Sequence, residues 1–249
     1  MNKVAIVIQA RTNSIRLPNK IVLPFYQNKS ILKLIIEKLQ QTELKLYVAT
    51  TTNPNDDIIQ KIAEENKVNC FRGDENNVLS RYLSIAEENN LTHVIRVCSD
   101  NPFINLSLIN NLIANQNKNS FKDYIGYFDK KDNPLILSHF GFFSEIISYK
   151  AMKKISQSNL KKKYHEHVTN YVYENPHIFK ILKLRLGQII DNSKNIRLTV
   201  DDKKDFDIAS SIFSSYKGDH ESYEELINHI TNNTDFISQM KINIKKNKK

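Results

Sequence analysis

Tryptophan is absent from the 249 residues, and cysteine (2), glycine (5) and proline (6) are scarce. So little glycine and proline excludes a collagen-like or Gly/Pro-rich low-complexity chain. The cysteines, Cys70 and Cys98, lie far apart and form no CxxC pair. Two lone thiols fit a reducing compartment and argue against a thiolate zinc site. No apolar run approaches the roughly 20 residues that span a bilayer. Residues 4–8, Val-Ala-Ile-Val-Ile, look like a signal start, but Gln9 and Arg11 interrupt the run and no small-residue cleavage site follows. The segment therefore reads as a first strand, and the chain is expected to be cytoplasmic. Tyr (11) and Phe (12) form no stacking ladder of the kind that binds single-stranded nucleic acid.

What is present is enough for a packed core: 40% of residues are hydrophobic. The length suits one or two domains. The net charge of +9 invites a nucleic-acid reading, but residues 241–249 hold five lysines and no acid, so the rest carries only +4 (9 minus 5). The tail reads as a solvated, frayed end, and no nucleic-acid partner is expected.

The first half alternates strand-like and helix-like segments. Residues 4–8 are a continuous apolar run rich in β-branched side chains, as buried parallel strands are, and 46–50, 68–71 and 93–97 read as the second, third and fourth strands. Between and after them lie helical patterns: 31–39 behind an N-cap at Ser30, one opened by Asp56 and Asp57, 77–88, and 105–114. Such alternation predicts a parallel sheet with helical crossovers. It breaks near residue 120. Beyond that, 123–128, 142–147, 178–186 and 197–201 read as strands, and 159–174, 203–216 and 222–231 as helices. With no repeat and no Pro/Ser-rich linker, the break reads as a seam within one compact unit.

Ligands of open α/β sheets bind beyond the carboxyl ends of the strands. The first strand runs into residues 9–20, Gln-Ala-Arg-Thr-Asn-Ser-Ile-Arg-Leu-Pro-Asn-Lys. There Arg11, Arg16 and Lys20, beside Ser14 and free backbone amides, have the charge and donors of a polyphosphate site. The loop is neither a GxGxxG fingerprint nor a Walker A motif. Asp100 and Asp201 each close a strand-like run, where a carboxylate can hold Mg²⁺ or simply cap a helix. Glu145 reads as a strand residue facing either an acceptor hydroxyl or solvent. The two histidines of His165-Glu166-His167 do not share a helical face, so they do not read as a zinc site. Lys161–Lys163 read as a solvated face that could attract an anionic sugar.

The segment over residues 8–20 resembles the opening motif of the SpsF-type cytidylyltransferases, relatives of the acylneuraminate and 3-deoxy-manno-octulosonate cytidylyltransferases. The resemblance continues in order through Phe71-Arg72-Gly73, Asn77-Val78-Leu79-Ser80-Arg81-Tyr82, Arg96-Val97-Cys98-Ser99-Asp100-Asn101-Pro102, residues 141–145, Glu166-His167-Val168-Thr169 and Arg197-Leu198-Thr199-Val200-Asp201. Asn19 stands where many relatives have Gly, and Asn tolerates left-handed backbone.

This resemblance implies an α/β, Rossmann-like nucleotide-diphospho-sugar transferase (GT-A-like) fold with a mainly parallel mixed sheet. Residues 1–240 would be one nucleotidyltransferase domain, with a nucleotide-binding half to residue 120 and an acceptor and oligomerisation half over 121–240. The implied reaction transfers CMP from CTP to a sugar or sugar acid and releases pyrophosphate, for surface-glycan biosynthesis. Gln9, Ala10, Arg11, Ser14, Arg16, Lys20, Arg72 and Asp100 would bind the nucleotide, with Arg11, Lys20, Asp100 and Asp201 catalytic. Asp100 and Asp201 would hold Mg²⁺, and Arg81, Glu145, His167 and Arg197 would meet the acceptor. A homodimer is compatible with it. Arg16 and Lys20 show no packing role, Asn at position 100 or 201 is expected to leave the apo protein as stable, and Asp202 is expected to tolerate Asn. Two alternatives stand beside this reading. One is a GT-A glycosyltransferase with Asp205-Phe206-Asp207 as its metal motif, although that motif falls in a helix. The other is a non-catalytic basic binding protein.

Overall fold

A computed structural model describes residues 3–158, 164, 167–193 and 195–247. Its centre is a seven-stranded sheet whose first strand, β1 (Val4–Gln9), is buried on both faces. Ile6 and Ile8 belong to one apolar layer, and Ala5 and Val7 to the other. The hairpin β2 (Pro24–Tyr26) and β3 (Lys29–Ser30) follows, turning at Gln27 and Asn28 with φ of 47° and 59°. Positive φ at both central residues matches the right-handed twist of the flanking strands.

The sheet order is β5 (Asn69–Gly73), β4 (Lys45–Thr51), β1, β6 (His93–Cys98), β8 (Glu145–Ser148), β7 (Tyr124–Tyr127), β9 (Ile181–Leu184). The first four strands are parallel; β8 runs antiparallel to both β6 and β7, and β9 parallel to β7. Helices α1 (Ile31–Leu39), α2 (Asp57–Glu65) and α4 (Leu106–Lys118) supply core residues to the Ile6/Ile8 layer. Helix α3 (Val78–Glu88) packs with α5 (Tyr149–Gln157) in the Ala5/Val7 layer, where Val172 of the short α6 (Asn170–Glu174) joins them. Further α-helices among the described residues are α7 (Gln188–Asn192), α8 (Lys203–Ser215), α9 (Tyr223–Thr231) and α10 (Thr234–Lys246), the last three again on the Ile6/Ile8 side.

The first-half elements lie within a few residues of their expected places, and Ser30 caps α1 by accepting from the Lys33 amide. The second half departs more. Residues 197–201 form no strand; they are an extended loop tied by Leu198 N to His139 O (2.7 Å) and Val200 N to Asp100 O (2.9 Å). Gly141 lets this loop approach. Its φ is +68°, and a Cβ there would lie 3.1 Å from the Leu198 carbonyl carbon. Of the helix expected over 159–174, Asn170–Glu174 is helical, and residues 159–163 and 165–166 lie outside the described residues. Residues 241–246 are not frayed. They end α10, whose Met240 and Asn243 are each 1% exposed. Among the described residues, no helix is long and apolar enough to cross a membrane.

Candidate functional site

A cavity of about 400 Å³ opens at the carboxyl ends of β1 and β6. It is lined by Gln9, Ala10, Arg11, Ser14, Arg16, Lys20, Arg81, Asp100, His167 and Asp201, all expected site residues, and also by Asn13, Ile15, Ile21, Val78 and Ser99. The fold thus brings residues almost 200 positions apart onto one crevice, as open α/β sheets do.

The basic loop is fastened at both ends. Ala10 N donates to Ala49 O at 3.0 Å, and Thr12 O accepts from Ser14 N (2.8 Å) and Asn19 N (2.9 Å). Asn19 takes the left-handed backbone, φ 62°, which its side chain tolerates better than most. Asp56 does the rest. It is 1% exposed and accepts from Thr12 N (2.7 Å), Thr12 Oγ1 (2.6 Å) and the Thr51 hydroxyl. Burial pushes its pKa up, but the hydrogen bonds from Thr12 and Thr51 outweigh that and hold it below the ordinary value. Asp56 therefore serves the loop rather than the α2 terminus, to which it gives no side-chain cap.

Beneath the loop, Lys20 is 7% exposed. Its Nζ donates to Val200 O at 2.5 Å and lies 3.4 Å from Asp100 Oδ2 and 3.9 Å from Asp201 Oδ1. One ammonium thus separates two carboxylates that would otherwise repel, so Lys20 has a structural role that its sequence position conceals. Arg16 Nη2 lies 2.7 Å from Asp201 Oδ1.

Behind Asp201 stands Arg197, whose side chain is 0% exposed. It donates to Asp205 through Nε (2.7 Å) and Nη2 (2.8 Å), and to Asp201 Oδ2 through Nη2 (2.7 Å). Its Nη1 lies 2.8 Å from His139 Nδ1; because a guanidinium only donates, that nitrogen accepts. Arg197 therefore orients the loop and, contrary to expectation, lies behind the cavity wall. Asp202 also departs from expectation. It is 8% exposed, caps α8 by accepting from Asp205 N (3.0 Å), and takes hydrogen bonds from Asn243 and Asn247 (3.1 Å each). Asn at this position would lose part of that set.

Glu145 and Arg72 likewise stand outside the cavity lining. Glu145 is 0% exposed and accepts from Arg96 Nη1 (2.6 Å), Thr169 Oγ1 (2.7 Å) and the Tyr124 hydroxyl, so neither solvent nor an acceptor reaches it. Burial and the Glu145 charge push the Tyr124 phenol far up, keeping it a donor. Arg96 Nε in turn donates to Gln9 Oε1 at 3.0 Å and orients that cavity residue. Arg72 spends its guanidinium on Thr51 O and Asn53 O (2.8 Å each), Asp57 (2.6 Å) and Gln60 (3.1 Å).

Arg81 differs. It lines the cavity at 2% exposure, and its Nη1 reaches Ala49 O at 3.3 Å. Its Nε has no partner, and among the described residues it forms no ion pair. Desolvation lowers its pKa. Gly73 makes room for its stem: a Cβ there would lie 2.8 Å from Arg81 Cγ. His167 lines the cavity, whereas His165, Glu166 and Lys161–Lys163 lie outside the described residues.

Sequence reasoning missed Asp56, Asn13 and Ile15 in this region. Asp56 carried a false signal, an acid at a helix start. Ile15 is 99% exposed at the cavity edge, a position no periodicity marks.

Comparison with known proteins agrees with this geometry. A cytidylyltransferase family model matches residues 5–243. An uncharacterised protein of Methanocaldococcus jannaschii is 35% identical over 207 residues, which cover 82% of this chain and 80% of the relative. The spore coat polysaccharide biosynthesis protein SpsF of Bacillus subtilis is 27% identical over 250 residues, covering 96% of this chain and 98% of SpsF. Among solved structures, a cytidylyltransferase from Leptospira borgpetersenii is 29% identical with a TM-score of 0.84, covering 95% of this chain and 97% of that one. A CMP:2-keto-3-deoxy-manno-octonic acid synthetase complexed with CTP, 12% identical, shares the fold at a TM-score of 0.66 over 86% of this chain and 99% of that one. The chain belongs to the cytidylyltransferase family and is a CTP-dependent nucleotidyltransferase of Rossmann-like α/β fold.

Proposed function

We propose that this cytidylyltransferase moves CMP from CTP onto an oxygen of a sugar or sugar acid, releasing pyrophosphate, as a step in surface-glycan biosynthesis. The observation that carries the proposal is Lys20, with its ammonium within 4 Å of both Asp100 and Asp201 at the base of the basic loop. SpsF, by its name a polysaccharide biosynthesis protein, supports the glycan role. The synthetase complexed with CTP supports placing a cytidine triphosphate in this cleft.

In the proposed reaction the acceptor oxygen forms a bond to the α-phosphorus while the bond from that phosphorus to the bridging β-phosphate oxygen breaks. Pyrophosphate leaves with the electron pair, and the acceptor proton passes to solvent. Arg11, Ser14, Arg16 and Lys20 bind the triphosphate and stabilise the charge that grows on the departing pyrophosphate. Positioning supplies much of the rate, because the nucleophile belongs to the substrate. Arg81 and His167 face the acceptor, with the Arg81 guanidinium, which forms no ion pair among the described residues, as the natural partner of an acidic group. The donor chemistry fits Mg²⁺: two hard carboxylates, Asp100 and Asp201, lie within 4 Å of the one Lys20 ammonium, and Mg²⁺ is held by one or two carboxylates plus substrate phosphates, with water in its other positions. When bound, the metal would neutralise triphosphate charge.

The glycosyltransferase alternative loses its metal motif. Asp205 and Asp207 lie within α8, and Asp205 is taken up by Arg197.

Thermal melting with each nucleoside triphosphate tests the base preference. CTP with Mg²⁺ should stabilise the protein most, by about 2.7 kcal/mol at a hundredfold excess over Kd. Equal shifts with ATP, GTP and UTP would reduce the site to a phosphate binder.

A further inference from the structure

The carboxyl cap of helix α10 meets Arg16, which lines the cavity. Asn243 and Asn247 sit four residues apart and therefore on one face. Asn243 Nδ2 donates to Asp202 Oδ1 at 3.1 Å and to Asp205. Asn247, at the carboxyl cap of the helix, donates from Nδ2 to Asp202 Oδ2 (3.1 Å) and to Asn243 Oδ1 (3.2 Å). Its Oδ1 accepts from Arg16 Nη1 at 2.9 Å, while Arg16 Nη2 meets Asp201 Oδ1 at 2.7 Å. The amide orientation follows from its neighbours: a carboxylate only accepts and a guanidinium only donates, so Nδ2 faces Asp202 and Oδ1 faces Arg16.

The Arg16 side chain is 43% exposed. Held by Asp201 alone, a long exposed arginine would swivel about one contact. The second contact, from a residue 231 positions away, fixes the plane of the guanidinium at the cleft mouth.

We propose that Asn247 is a positioning residue for triphosphate binding: it orders the Arg16 guanidinium before CTP arrives, so the complex forms without that ordering cost. The proposal rests on the reading of Arg16 as a triphosphate ligand. It gives the carboxyl-terminal helix a part in binding rather than in stability alone. An amide is required at 247, because the position must donate to Asp202 and accept from Arg16 at once. Aspartate would turn a carboxylate against Asp202, and leucine, close in volume, would make neither bond.

The test is calorimetric titration of the full-length protein with CTP and Mg²⁺, using Arg16→Ala, Asn247→Leu, Asn247→Gln and the double variant Arg16→Ala/Asn247→Leu. Asn247→Leu should weaken CTP binding about three- to tenfold, the range expected for one long side chain left unordered. Asn247→Gln, which keeps an amide, should recover part of that loss. In the Arg16→Ala background, Asn247→Leu should have no further effect. If Arg16→Ala binds CTP normally, the reading of Arg16 fails and the proposal with it. Three other outcomes overturn the proposal alone, with Arg16→Ala impaired: Asn247→Leu binds as wild type, it binds more tightly, or it weakens binding equally in both backgrounds.

Discussion

Thr12 and Asp56, 44 residues apart, are joined twice, by Thr12 N at 2.7 Å and Thr12 Oγ1 at 2.6 Å to the same carboxylate oxygen, Oδ1. This pair fastens the start of the basic loop to the chain just ahead of α2. Asp56→Asn exchanges a charged acceptor for a neutral one and should cost about 1.5–3 kcal/mol of stability. CTP affinity should fall as well, although Asp56 does not line the cavity. Because the Asp56 pKa is depressed below 3.8 in the folded protein, its contribution is present above the unfolded value and lost as pH falls through the folded one. The difference in Tm between wild type and Asp56→Asn should be constant above about pH 5 and shrink toward pH 3. A difference that grows on acidification would contradict this role.

Lys20 and Arg16 should separate into two kinds of variant. Arg16→Ala should fold with an unchanged Tm and bind CTP roughly tenfold to a hundredfold more weakly, the loss of one charge-assisted hydrogen bond. Lys20→Ala should lose both affinity and stability, because it leaves Asp100 facing Asp201 with the Val200 carbonyl unpaired. Thermal melting beside CTP titration reads both. An unchanged Tm in Lys20→Ala would show that the ammonium serves the ligand only.

The two positive-φ positions near the site should respond to different degrees. Asn19→Gly should change stability by less than about 1 kcal/mol, since glycine adopts φ 62° without strain but frees the unfolded chain. Gly141→Ala should cost about 1–3 kcal/mol. It adds a left-handed non-glycine residue and a Cβ 3.1 Å from the Leu198 carbonyl carbon. Because it presses on the 197–201 loop, Gly141→Ala should also weaken CTP binding. Urea unfolding compares the two, and equal effects would contradict the geometry.

Asp100→Asn and Asp201→Asn should each nearly abolish turnover and differ in stability. Asp201 accepts from Arg16 and from the fully buried Arg197, so its loss should destabilise the fold. Asp100, with 35% of its side chain exposed, should be nearly neutral. The double variant should lose little more turnover than either single one, as expected for groups serving one ion. Additive losses would remove the shared-metal role.

The parallel half was legible because β1 is a short apolar run, and the strand-like segments of β4 and β6 alternate with helical patterns behind recognisable caps such as Ser30; local pattern is what such elements depend on. The charge density of residues 9–20 marked the loop that lines the cavity. The Lys20, Asp100 and Asp201 cluster is long-range: the strand-end positions of the two acids hinted at it, with helix capping as the alternative, and the family resemblance joined them. Arg197 and Glu145 were misplaced because a charged residue beside an apolar run reads the same whether it faces a cleft or a buried partner. Burial of Arg197 with Asp205, and of Glu145 with Arg96, depends on which elements pack, and no local period records that. The tail failed for the same reason. Its lysines suggest solvent, but the structural face of α10 is carried by Met240, Asn243 and Asn247, which composition does not single out.

The account is tested most directly by identifying both products of the reaction. The protein, Mg²⁺ and each of the four nucleoside triphosphates are incubated with a panel of sugars and sugar acids, and products are resolved by mass. The account predicts pyrophosphate in equal amount to a CMP-linked sugar, formed from CTP in preference to the other three and only with acceptor present. Release of a nucleoside diphosphate, or equal use of all four triphosphates, would contradict it.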